Sequence, residues 1–260
     1  MTTKAERGER FRALHEGEPF LIPNPWDAGS AKVLAALGFE ALASTSSGFA
    51  FTLGRRDGAV TLDEVVEHAR VLAEATDLPV SMDLEKGYGP APEDAARAIE
   101  RVAEAGAVGG SIEDWDPDEE LLYPLDEAVD RIAAAAEAAR ALDVPFVLAA
   151  RAENHIRGNP DLNDTIARLQ AFEDAGADVL YAPGLRTVEE IRAVCEAVSK
   201  PVNVLAVPSL SFAEIAEAGA QRVSVGGALT WVAASAFAEA ATSMRDRGDF
   251  TALAATSPLP

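Results

Sequence analysis

Two rhythms of hydrophobic and polar positions take turns along this chain. Short apolar runs of strand length occur at residues 20–23, 41–46, 79–85, 107–114, 145–151, 178–184, 201–207 and 221–227. A stretch with apolar residues at helical spacing follows each one. Eight such units predict a parallel sheet closed into an α/β fold, a (β/α)8 TIM barrel, as a single domain over residues 1–260. Such a barrel carries its active site at the C-terminal ends of its strands. The polar residues that end the runs are therefore candidate site residues.

Punctuation supports the same reading. EAGAVGGSIED, DAGADVLYAPG and EAGAQRVSVGG each end a helix at Ala-Gly and open a strand within a few residues. Glycine relieves left-handed strain at a helix C-terminus. Thr61 with Glu64 forms a capping-box pattern, and Pro92-Glu93-Asp94 opens the next helix with acids at its positive dipole end. Ala228–Arg247 is read as the eighth helix, and the tail ending TSPLP is expected to fray or to pack on a neighbour.

Strand ends supply the chemistry. Side chains alternate along a strand, so Asp83 and Glu85 in SMDLE are expected to point the same way, into the barrel mouth. Glu113 ends the next run, and neighbouring strands lie about 4.8 Å apart. Three converging oxygen donors without a His or Cys cluster favour a hard cation, Mg²⁺ before Mn²⁺. Hydrogen bonding of the same acids to arginine or loop backbone is the competing reading. Arg151 ends the fifth run; it is either an ion-pair partner or a fork for a substrate carboxylate, with Glu153 holding it in place. Ser46, Ser47 and Gly48 can present backbone N–H groups to an anion. Asp57, in GRRDG, reads by itself as a turn residue.

Composition narrows the partners. A formal net charge of −21 repels nucleic acid, and most acids lie on helices with solvated faces. No run reaches the roughly 18 apolar residues of a membrane span. The charged start, MTTKAERGERFRALHEGEP, has no apolar core of a secretory signal, so a cytoplasmic location without membrane attachment is expected. The one cysteine, Cys195, is read as helix-face core packing.

Together these stretches resemble the isocitrate lyase/phosphoenolpyruvate mutase superfamily along nearly the whole chain. The resemblance rests on PNPWDAGS from Pro23, Thr45-Ser46-Ser47-Gly48, DLEKGYG from Asp83, GSIED from Gly110, Ala150-Arg151-Ala152-Glu153-Asn154 and Pro201-Val202-Asn203-Val204. It implies a Mg²⁺ site and a small 2-oxo acid whose bond beside the carbonyl is made or broken through a pyruvate-enolate-like state. It implies that Asp83 holds the metal, that Glu85 and Glu113 join through water, and that Asp57 supports the metal waters. Ser46, Ser47 and Gly48 would hold the oxo-acid carboxylate and carbonyl. Arg151 would contact the substrate near the breaking bond, and Asn203 matches a polar strand-end position. The resemblance also implies a homo-oligomer, often one that exchanges the eighth helix.

The departures matter as much. Lyases of the family carry a Lys-Lys/Arg-Cys-Gly-His loop after the fourth strand, and phosphonate-handling members carry Lys and Asn there. The segment here, WDPDEELLYP from Trp115, has none of Cys, Lys, His or Asn. Glu85-Lys86 stands where many members have Asp-Thr; Lys86 is read as facing solvent, with neutralisation of a nearby acid as the alternative. Decarboxylation of oxaloacetate is the least demanding reaction on this platform, since CO₂ departs without a general acid. Solvent or Tyr181 would return the proton, and His155 or Arg157 could neutralise a distal carboxylate. Two other readings stay open: a phosphonopyruvate or C–C bond hydrolase or mutase, and a non-catalytic barrel that binds an oxo acid.

Overall fold

A computed structural model describes residues 2–256. Residues 257–260, the end of the TSPLP tail, lie outside the described residues, and with them the expectation about that tail. The elements run α1 (Lys4–Leu14), β1 (Phe20–Ile22), α2 (Ala28–Ala36), β2 (Leu42–Ala43), α3 (Ser46–Thr52), α4 (Leu62–Ala75), β3 (Val80–Asp83), α5 (Pro92–Glu104), β4 (Gly109–Glu113), β5 (Trp115–Asp116), β6 (Leu121–Leu122), α6 (Leu125–Ala141), β7 (Val147–Arg151), α7 (Leu162–Asp174), β8 (Val179–Tyr181), α8 (Val188–Ala197), β9 (Val202–Leu205), α9 (Phe212–Glu217), β10 (Arg222–Ser224) and α10 (Ala228–Arg247).

Eight parallel strands form one sheet in the order β1-β10-β9-β8-β7-β4-β3-β2, a nearly closed TIM-type barrel with helices outside. Closure between β1 and β2 is made by few groups. The Ala43 amide donates to Pro23 O (3.1 Å), and Asn24 Nδ2 donates to Ser44 O (3.0 Å). Asn24 Oδ1 accepts from the amides of Val225 and Gly226 (2.9 Å each), so one buried side chain ties three strand ends together.

The capping patterns form. Thr61 accepts from the Glu64 amide in a full capping box, and Pro92 stands in the first turn of α5. Outward-facing Leu42, Val80, Met82, Ile112, Leu148, Leu180 and Val204 pack against the helices. Phe20, Ile22, Ala41, Val108, Val147, Ala149 and Val179 form a second cluster with Phe11 of α1. Helix α1 is absent from the eightfold pattern of the sequence; it closes the N-terminal end of the barrel. Gly109 is required there, because a Cβ would stand 2.5 Å from the Phe11 ring. Burying Phe11 contributes about 2–3 kcal/mol.

Strand ends turn off earlier than the apolar runs do. Thr45 caps α3, so the second run stops as strand at Ala43 and Ser46 opens a helix. The third stops at Asp83, and Glu85 has φ 47°, a left-handed residue in the turn to Gly87. WDPDEELLYP folds back as the antiparallel hairpin β5–β6. Cys195 is half-buried against the core, where burial pushes its thiol up to about 11. Among the described residues no helix is long and apolar enough to cross a membrane.

Candidate active site

Parallel register lays a row of side chains across five strands: Glu113 on β4, Arg151 on β7, Tyr181 on β8, Asn203 on β9 and Arg222 on β10. Arg151 is its centre. Nη1 lies 3.0 Å from Asp83 Oδ1, and Nη2 lies 3.0 Å from Glu113 Oε2 and 2.8 Å from Glu153 Oε1. Its guanidinium also sits 5.1 Å above the Tyr181 ring centre. Burial works against the Arg151 charge, and Glu113, Glu153 and Asp83 more than reverse that effect, so its pKa rises.

The carboxylates outnumber their partners. Arg157, stacked 4.8 Å from the Trp115 ring centre, adds one guanidinium and pairs with Glu153 (3.1 Å). Five acids, Asp57, Asp83, Glu85, Glu113 and Glu153, thus share two guanidiniums at the mouth. Burial raises Glu113 well above the ordinary carboxylate range, with Glu153, Asp83 and Glu85 adding to it against Arg151. Glu85 is pushed up to about 8, by burial first and then by the charges of Asp83 and Asp57. Asp57 is raised by burial and by Asp83, with the Ser46 hydroxyl and Arg151 opposing.

Helix α3 begins beside these acids. The Ser46 amide donates to Asp83 Oδ2 (3.2 Å), and the Asp83 amide donates to Ser44 Oγ (2.8 Å). The Gly48 amide donates to Thr45 Oγ1 (3.3 Å). Gly48 is needed for close approach: a Cβ there would lie 2.5 Å from Thr230 Oγ1 and 2.6 Å from Thr45 Cγ2.

A cavity of about 250 Å³ opens at this end of the barrel. Ser46, Ser47, Asp57, Asp83, Arg151, Glu153, Tyr181 and Asn203 all line it. Gly48, Glu85 and Glu113 do not. Gly48 lies within α3 and packs toward Thr230 and Trp26, and Glu113 touches Arg151 from within the wall. Glu85 does not share the orientation of Asp83 that strand alternation predicts: its left-handed backbone turns it toward the Tyr88 hydroxyl (3.4 Å) and a second cavity beneath the hairpin. Among the described residues no three His, Cys, Asp or Glu side chains stand as a ready-made metal-binding group.

Lys86 also departs from expectation. Rather than facing solvent, it pairs with Asp116 (2.5 Å) and Asp118 (2.6 Å), with only 12% of its side chain exposed. Those bonds raise its pKa against the effect of burial. The lysine latches hairpin β5–β6 to the turn that carries Glu85. His155 faces Glu190 (3.8 Å) rather than the cavity. Sequence reasoning missed Asn24 and Arg222 as cavity residues. The inward alternation of Arg222 and Ser224 in QRVSVGG was the available signal for the second; nothing local marks the first.

The sequence profile of the phosphoenolpyruvate phosphomutase family matches residues 11–245. The chain belongs to the isocitrate lyase/phosphoenolpyruvate mutase superfamily. A solved protein of Burkholderia cenocepacia J2315, assigned no more finely than lyase/mutase, is 53% identical. The match covers 97% of this chain and 93% of that one, at a TM-score of 0.94. A 2-methylisocitrate lyase of Halalkalibacterium halodurans is 31% identical over 260 residues, 95% of this chain and 84% of its own. An oxaloacetate decarboxylase of Rhodopseudomonas palustris is 31% identical over 258 residues, 95% of this chain and 87% of its own. The superfamily contains lyases and mutases acting on 2-oxo acids, and this member has no lyase cysteine loop, since its one cysteine lies on α8.

Proposed function

We propose that this protein is a divalent-cation-dependent carbon–carbon lyase of small 2-oxo acids, with decarboxylation of oxaloacetate as the preferred reaction. The observation that carries the reading is the Arg151 fork among Asp83, Glu113 and Glu153, facing Ser46 and Ser47 across one cavity.

The residues fit a bound cation. Every donor is an oxygen, and burial with mutual repulsion raises Asp57, Glu85 and Glu113, the signature of a cluster short of positive charge. Asp83, which lines the cavity, would hold Mg²⁺, or Mn²⁺ in its place, with Glu85 and Glu113 joining through water and Asp57 supporting the metal waters. When bound, the cation supplies Lewis-acid stabilisation of negative charge on the substrate's oxygens.

The chain's own groups do the rest. Ser46 and Ser47, with the start of α3 and Gly48 behind them, would hold the substrate's C1 carboxylate and carbonyl. As the C3–C4 bond breaks, its electron pair moves into the carbonyl, CO₂ leaves, and charge develops on the enolate oxygen, where Arg151 stabilises it. Tyr181, whose hydroxyl burial keeps protonated, or solvent returns a proton to C3 to give pyruvate. Glu153 holds Arg151 from both Nε and Nη2. Asn203, bonded to Ser224 and Arg222, lines the wall below. The protein also reads as a homo-oligomer: of the 20 residues of α10 only Thr230 and Ser243 are buried, while Trp231, Val232 and Phe237 stay exposed. Subunits that exchange this helix would cover that face.

The test is pyruvate release from oxaloacetate with Mg²⁺, above the free-metal background, against excess chelator and Asp83→Ala. Release lost in both controls supports the reading. Full activity in chelator contradicts it. Oxalate and acetate as products would instead mark a C–C hydrolase, and oxalate binding without turnover of any 2-oxo acid would mark a binding barrel.

A further inference from the structure

Three guanidiniums line the site cavity, and one of them is unlike the others. Arg151 and Arg157 are paired with carboxylates. Arg222, only 5% exposed at the barrel floor, has no carboxylate partner among the described residues. Its Nε donates to Asn203 Oδ1 (2.9 Å). Its Nη1 lies 3.3 Å from His15 Nε2. His15 Nδ1 lies 2.7 Å from Phe11 O, a contact that fits an Nδ1–H donor and leaves Nε2 as acceptor for the arginine. Both partners are neutral: burial, with Arg222 adding, pushes the imidazole down to about 3. A buried charge with only neutral partners is strongly disfavoured, and a protein keeps one where a counter-charge arrives from outside. Two hydroxyls on the same cavity wall point to the same conclusion. Ser81, only 4% exposed, and half-buried Ser111 line the same cavity as Arg222 and bring hydroxyl donors to it.

We infer that the barrel floor is an anion subsite, in which Arg222, held by Asn203 and His15, binds a carboxylate or another small anion with Ser81 and Ser111 as further donors. The anion has two possible sources. It is either the distal carboxylate of the substrate, reaching down from the mouth, or a separate small anion held beneath the substrate. The first source rests on the proposed 2-oxo acid chemistry; the second stands without it.

Two measurements decide the matter. Crystals of the wild-type protein soaked in bromide test the free-anion source: an anomalous peak beside the Arg222 guanidinium supports it. Displacement of bound oxalate by oxaloacetate and by 2-oxobutyrate, which carries a methyl where oxaloacetate has its distal carboxylate, tests the substrate source. A preference of roughly tenfold or more for oxaloacetate, lost in Arg222→Gln with 2-oxobutyrate affinity unchanged, supports it. Arg222→Gln is also expected to match or exceed the wild-type Tm without ligand, since it removes an uncompensated charge. No bromide peak together with no Arg222-dependent preference overturns the subsite. Failure of Arg222→Gln to fold overturns it as well, because the guanidinium would then be structural. Loss of turnover with the bromide peak intact would count against the lyase reading alone.

Discussion

Arg151 and Arg222 are both inward-facing arginines in one register row of the same barrel, and their surroundings are opposite. Three carboxylates crowd Arg151 and drive its pKa up. Among the described residues Arg222 meets only an amide and a neutral imidazole, and burial lowers its pKa to about 10. The mouth therefore carries more negative charge than it can pair, and the floor carries positive charge with nothing to pair it. A barrel built for packing alone would match these charges to each other. Their separation along one cavity suits a cation at one end and an anion at the other.

The largest expected break in this comparison comes from Arg151→Met. It leaves Asp83, Glu113 and Glu153 without their shared partner, and loss of one partner from a buried ion-pair cluster costs about 3–5 kcal/mol. Urea denaturation in chelator should show that loss, and added Mg²⁺ should restore part of it; Arg222→Gln should show no loss. Equal losses in the two variants would erase the contrast.

Acid should act on the floor next. The folded pKa of His15, about 3, lies below its unfolded value near 6.5, so the unfolded chain binds the extra proton first. The contribution of His15 is intact above pH 6.5 and is lost as pH falls toward 3, by about 2 kcal/mol at pH 5. The Tm–pH profiles of wild type and His15→Gln should therefore converge on acidification. Parallel profiles from pH 7 to 5 would mean that His15 is not held neutral.

The smallest effect concerns the latch at the mouth. Lys86→Met removes a partly buried pair with Asp116 and a more exposed one with Asp118. A loss of about 1 kcal/mol is expected, concentrated in β5–β6 and read as faster amide exchange of residues 115–122. Exchange that rises equally throughout the barrel would argue against a local latch.

Much of the barrel was legible because alternation and turn residues are local signals. Arg151 and Glu113 could be assigned to neighbouring strand ends from the apolar runs alone. Four features were not legible, each for a physical reason. KAERGERFRAL has few apolar positions, and α1 gains its place only from the tertiary socket around Phe11. The apolar run carries on to Ser46 in the sequence, whereas Thr45 uses its hydroxyl to start a helix. The orientation of Glu85 follows from one left-handed backbone angle that strand periodicity cannot show. Lys86 finds its acids 30 and 32 residues away, beyond any local pattern.

On the proposed function, the acid-rich mouth works with a divalent cation to bind a 2-oxo acid. Calorimetric titration of oxalate, an enolate mimic, into the protein with Mg²⁺ and then with chelator tests it most directly. Saturable binding that needs Mg²⁺ and weakens at least roughly tenfold in Asp83→Ala is expected. Equal oxalate affinity with chelator, or in the variant, would contradict it.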